Sequence, residues 1–164
     1  MSNLIDTRRV QTRRILRFES LEDVRRDVQR LAEADRAGRL ERLGNWTLGQ
    51  TLGHLSTWIG YSYERAPLNP PWVVRFIVKL RKKKMLNDKM PLGVKIPGVD
   101  GGTLGTEPIS TDEGLSRYTA ALDRLTRETP TAPSVIFGHL THDEWIKLNL
   151  RHAELHLGFF KEKN

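Results

Sequence analysis

The chain has no cysteine. That excludes disulfides, thiolate zinc sites, iron–sulfur clusters and a cysteine nucleophile, and it agrees with a reducing cytoplasm. Long apolar runs are missing too. The most hydrophobic segment, Trp72–Leu80, is interrupted by Arg75 and Lys79 and falls far short of the roughly 20 residues a membrane span needs. Met1–Arg17 has scattered arginines and no apolar stretch suited to a secretory signal. The expectation is a cytoplasmic protein with no membrane partner. Strand signals are nearly absent, since Ile15–Phe18 is too short to build a sheet on. No repeat of solenoid length and no low-complexity tract is visible.

What the chain does have is charge and helical periodicity. Its 164 residues fit one domain, 1–164, with an N-terminal arm at 1–18 and an irregular loop at 85–110. The net charge is +7, and the basic residues come in bursts: Arg8-Arg9, Arg13-Arg14, Arg25-Arg26 and Arg81-Lys82-Lys83-Lys84. Such a surface attracts anions through its long-range field. No zinc finger, RNA-recognition signature or helix-turn-helix spacing accompanies it, so a nucleic-acid partner is not expected.

The spacing predicts five helical stretches. The first runs from Leu21 to about Ala37, with Ser20 as N-cap, Asp23 three residues on, and Leu21, Val24, Val28 and Leu31 on one face. The second starts after the cap Thr47 and reaches about Glu64, with a stripe of Leu48, Leu52, Leu55 and Ile59. A third spans Trp72 to Lys84, with Val73, Phe76, Ile77 and Leu80 on one side. It is expected to pack within the monomer, with dimerisation through it as the second choice and an amphipathic surface helix touching a membrane as a further one. Asn87 to Pro108 is rich in glycine and proline and reads as a long loop. The fourth helix covers Thr111 to about Glu128 on Leu115, Tyr118, Leu122 and Leu125. The fifth follows the capping box Thr141–Glu144, with Trp145, Leu148, Leu155 and Phe159 as its stripe. Helices joined this way define an all-α bundle.

The histidines carry the candidate chemistry. His152 and His156 are four apart on the last helix and stack on one face, so both imidazoles can reach one ion. Glu154 points away from that pair and lacks general-base geometry. His54 sits mid-helix beside Leu52 and Leu55, where a bundle interior can bring it opposite the pair. Three neutral imidazoles with open remaining positions make a zinc- or nickel-type site, with iron as a further choice. His139 and His142 are assigned no ligand role, His142 being an exposed first-turn residue. Gln50, one turn before His54, is either a pocket residue or a bonded core amide. Trp46, Trp58 and Trp145 are expected to be packing residues.

The run Asn45-Trp46-Thr47-Leu48-Gly49-Gln50 leads to Gly53-His54-Leu55. With Phe137-Gly138-His139-Leu140-Thr141, Trp145 and Arg151-His152-Ala153-Glu154-Leu155-His156-Leu157, it resembles the DinB/YfiT-like superfamily, in an uncharacterised branch. The resemblance spans Arg14 to the C-terminus. It implies a four-helix bundle with a long crossover carrying an extra short helix. It also implies a metal held by one histidine of an early helix and two of the last, the places of His54, His152 and His156. Characterised relatives include transferases and isomerases dependent on low-molecular-weight thiols, so a thiol cosubstrate is implied as well.

Three readings follow. The first is a metal-dependent enzyme acting on a small molecule, either a thiol-dependent transferase or a hydrolase using metal-bound water. The second is a non-catalytic binding or structural bundle. The third is an anion- or nucleic-acid-binding basic surface.

Overall fold

The computed structural model describes residues 4–96 and 99–163, with Val74 described by its backbone alone. The parts of the expected arm and loop at 1–3 and 97–98 lie outside them. Local sequence sets the helix starts. Ser20, Thr47 and Thr141 each accept a hydrogen bond from the third helical N–H, and Asp23, Gln50 and Glu144 answer with side chains on the cap N–H. The helices are α1 (Leu21–Arg36), α2 (Leu48–Gly60), α3 (Trp72–Leu80), α4 (Lys82–Asn87), α5 (Thr111–Arg127) and α6 (His142–Leu157). After α1, Gly38 takes φ +67°, and the Gly38 and Arg39 amides reach back to the Asp35 and Ala34 carbonyls at 2.9 and 2.8 Å. That is a Schellman ending, which strongly favours glycine at the left-handed position.

The chain is an all-α bundle in which α1, α2, α5 and α6 enclose one core. Val24, Val28, Leu31, Leu52, Leu55, Ile59, Tyr118, Leu122, Leu125 and Leu157 are its buried centre. The closest contact is between α2 and α5, and glycine makes it possible. A Cβ on Gly49 would stand 2.2 Å from the Ile109 carbonyl oxygen, and one on Gly114 would stand 2.7 Å from the Gly49 oxygen. The two backbones touch where any side chain would separate them.

Several elements differ from the expectation. The second helix stops at Gly60 rather than Glu64, because the Ser62 amide and hydroxyl both bond the Ile59 carbonyl and tighten the chain into turns. The third helix breaks at Arg81 into α3 and α4, so Leu86 is buried and α4 rests on α6. The face of α3 expected to pack within the monomer is not covered by the described residues: Trp72, Val73, Phe76, Ile77 and Leu80 are all exposed.

A short antiparallel pair, β1 (Leu40–Arg42) and β2 (Phe160–Glu162), joins segments far apart in sequence, with Leu40 opposite Glu162. The buried face of α6 is wider than the expected stripe, of which Trp145 and Phe159 are buried. Leu148 and Leu155 are half-buried, whereas Trp145, Asn149, Leu150, Arg151, Ala153, Glu154 and Leu157 are buried. Arg151 and Glu154 are covered because the arm crosses them. The Phe18 amide donates to Glu154 Oε1 at 2.6 Å, the Arg151 guanidinium donates to the Phe18 carbonyl at 2.5 Å, and the two side chains pair at 2.8 Å. Arg14 ties the arm down further, pairing with Asp27 at 2.7 Å and donating to the Leu157 and Phe160 carbonyls. No helix among the described residues is long and apolar enough to cross a membrane.

Candidate metal centre

Helix α2 carries His54 into the interior between Leu52 and Leu55, and α6 presents His152 and His156 one turn apart on the face opposite Glu154. The three side chains meet. Their ligand nitrogens all lie within 4.8 Å of one another, so the cluster could hold a metal ion. His152 Nε2 lies 3.2 Å from His54 Nε2 and 3.1 Å from His156 Nε2. Two imidazole nitrogens on one tetrahedral ion, each about 2.0–2.1 Å from it, stand about 3.3 Å apart. The two spacings at His152 match those of a shared ion.

Hydrogen-bond chemistry favours the same conclusion. His54 Nδ1 is 2.7 Å from the Leu104 carbonyl oxygen. A carbonyl only accepts, so Nδ1 carries the proton and Nε2 of the neutral ring is a lone pair. His152 Nε2 would then have to serve two short contacts with one proton. A cation at the centre satisfies all three lone pairs at once, and the Leu104 bond is the outer partner that orients a ligating imidazole.

Electrostatics keep the rings neutral, as ligands must be. Burial lowers the His54 pKa to about 4, against the opposing pull of the Leu104 carbonyl and the Glu107 carboxylate. Burial also holds His152 and His156 well below the ordinary imidazole value. His54 adds to the shift at His152, and His152 and His54 add to it at His156. Among the described residues the group contains three ligand side chains and no carboxylate, so a bound ion would keep open positions. Imidazole donors suit zinc, nickel and iron rather than magnesium or calcium.

The walls are aromatic. Trp46 stacks on His156 with centroids 5.3 Å apart and planes 13° apart, and it also lies 5.0 Å from His54. Trp58 meets His54 and His152 edge-on at 6.1 and 6.0 Å, and its buried indole N–H has no partner among the described residues. Both indoles were expected to be packing residues, yet they frame the histidines. Their signal was present in the sequence. Trp46 precedes the α2 cap, and Trp58 lies four residues after His54 on the same face.

The long loop also contributes. Its end lies along α2, with Leu104 on His54, Thr106 accepting from Gln50 Nε2 at 3.2 Å, and Gly105, at φ +72°, pressed against Thr57. Gln50 is half-buried and bonded at both ends of its amide. Its oxygen accepts from the Thr47 amide at 3.0 Å and its nitrogen is spent on Thr106. His142 is half-buried rather than exposed, its Nε2 being 2.6 Å from the Leu125 carbonyl, while His139 stays exposed; neither joins the cluster.

Fold and site together define a helical bundle with an interior three-histidine cluster. A protein-family model described as a protein of unknown function, DUF1569, matches residues 10–163, and the chain belongs to that family. No curated protein and no solved structure matches it.

Proposed function

We propose that the chain is a metal-dependent enzyme whose His54, His152 and His156 hold one divalent transition-metal ion, zinc or nickel first and iron next. The observation that carries the reading is His152 Nε2 at 3.1–3.2 Å from two other imidazole nitrogens, with His54 oriented by Leu104. The ion would supply Lewis acidity, drawing a bound thiol or water toward its anion near neutral pH. The chain's own part is to exclude bulk water with Trp46 and Trp58, keep three rings neutral by burial, and fix His54 through the Leu104 carbonyl. The resemblance to the DinB/YfiT-like superfamily favours a low-molecular-weight thiol as cosubstrate, hence a transferase working on a borrowed sulfur in a cysteine-free protein of the cytoplasm. Hydrolysis is the alternative reaction on the same site.

A structural pin is the second reading, and the cluster's size weighs against it, because structural zinc sites are normally closed by four protein ligands. The test is metal content by mass spectrometry on protein purified without a nickel column. About one zinc, nickel or iron per chain in the wild type, lost in His152→Ala, is the expected result. No metal after reconstitution would remove the enzyme reading and leave a binding bundle. If the metal is present, activity screening with low-molecular-weight thiols separates transferase from hydrolase.

A further inference from the structure

Helix α3 has an apolar face that the described residues leave uncovered. Trp72, Val73, Phe76, Ile77 and Leu80 are 76%, 44%, 58%, 51% and 73% exposed. At about 100° per residue they fill one arc of about 140°, with Arg75 and Lys79 along one border. A soluble surface scatters such residues singly; five on one helical face mark an interaction site.

Charge identifies what it meets. Between Trp72 and Asn87 there are six basic residues, Arg75, Lys79, Arg81, Lys82, Lys83 and Lys84, and no Asp or Glu. The whole chain has 27 Lys and Arg against 20 Asp and Glu, so removing these six leaves 21 against 20. Nearly the entire net charge of +7 is therefore concentrated on α3 and α4. Helix α4 also fixes α3 to the body, through buried Leu86 and the Lys82–Glu144 pair at 2.7 Å on the first turn of α6.

We propose that α3 and α4 form a docking surface for an anionic lipid bilayer, with the apolar arc of α3 set into the headgroup–acyl boundary and the basic cluster held against the lipid phosphates. Trp and Phe on an apolar face bordered by Arg and Lys are the composition of a helix lying in the interfacial plane. A second copy of the chain fits less well, because a contact between two such segments would bring together twelve basic residues with no acidic residue of either segment to answer them. Nucleic acid would engage the cations but leave Val73, Ile77 and Leu80 in water. The absence of a spanning helix concerns crossing a membrane and leaves surface docking untouched.

The test is co-sedimentation of the full chain with vesicles of phosphatidylcholine alone and with about a third phosphatidylglycerol. Size-exclusion chromatography with light scattering and an RNA-binding titration run alongside. Wild type should sediment with the anionic vesicles, lose retention in high salt, and ignore the neutral ones. Trp72→Ser/Phe76→Ser, at exposed positions, should abolish sedimentation with an unchanged melting temperature. Arg81→Gln, Lys83→Gln and Lys84→Gln should each weaken partitioning about fivefold. Equal binding to neutral vesicles, or full binding by the Trp72/Phe76 variant, overturns the proposal. So does a dimer that the same variant dissociates without any vesicle binding, or RNA affinity indifferent to that variant and unaccompanied by lipid binding.

Discussion

Alanine in place of glycine usually strengthens a helix, and α2 offers a position where it should do the reverse. At Gly49 a Cβ would lie 2.2 Å from the Ile109 oxygen and 2.6 Å from the Ser110 oxygen, about 1.2 Å inside the 3.4 Å limit of ordinary contact. Both neighbours are backbone, so no rotamer change relieves the overlap, and α2 must move away from the start of α5. Overpacking of this kind costs about 1–3 kcal/mol, while the helix regains at most about 1 kcal/mol in lost glycine entropy. The net for Gly49→Ala is destabilisation of about 1–2 kcal/mol, a fall in melting temperature of about 2–8 °C for a chain of this size. Gly60, at the other end of α2, has nothing within 4 Å of the same hypothetical atom. Gly60→Ala should therefore leave stability unchanged or raise it slightly. Circular-dichroism melts of the two variants decide the matter. A Gly49→Ala protein as stable as wild type would refute the close-contact reasoning, whatever Gly60→Ala does.

Two predictions concern the histidine cluster. With metal chelated, stability should be full above about pH 6.5 and decline as pH falls toward about 4, because the unfolded chain takes up the His54 proton before the folded chain does. The displacement from 6.5 to about 4 corresponds to about 3 kcal/mol. Urea titrations of wild type and His54→Asn between pH 7 and pH 4 should differ by that dependence, and parallel curves would count against burial as its cause. Gly105→Ala should shift the loop that holds the Leu104 carbonyl on His54, since its Cβ would meet Thr57 at 2.7 Å. Metal affinity in a competing-chelator titration should drop about ten- to a hundredfold, and unchanged affinity would show the carbonyl to be incidental.

The features legible in the sequence were those set by short-range chemistry. Ser20, Thr47 and Thr141 signal their helix starts because a cap and its reply lie three residues apart. The pairing of His152 with His156 follows from helical pitch alone. His54 was harder, since reaching the pair depends on how α2 and α6 pack; the resemblance to a family supplied that placement. Nothing local announced β1 and β2, three residues each and paired across more than a hundred positions. The apolar stripe of α6 misled for a related reason. Arg151 and Glu154 look like solvent residues and are buried only because Phe18 crosses them. Trp46 and Trp58 look like core residues until the histidines they flank are seen together.

The tie between the arm and the end of α6 has a consequence for synthesis. Apart from the Arg14–Asp27 pair and the Arg17 bond to the Asn87 carbonyl, residues 14–18 bond to Arg151, Glu154, Leu157, Gly158 and Phe160, and among the described residues β1 pairs with β2. These C-terminal partners all lie beyond residue 150, and so do two of the three histidines. On the ribosome α1, α2 and α5 can meet early and Arg14 can pair with Asp27, but the arm's bonds to α6 and the pairing of β1 must wait until that segment has emerged. Closure of the bundle and assembly of the histidine cluster thus fall in the same late step, a long-range closure of the kind that slows folding. A nascent chain halted before α6 would carry His54 in a half-built interior, with no imidazole facing it.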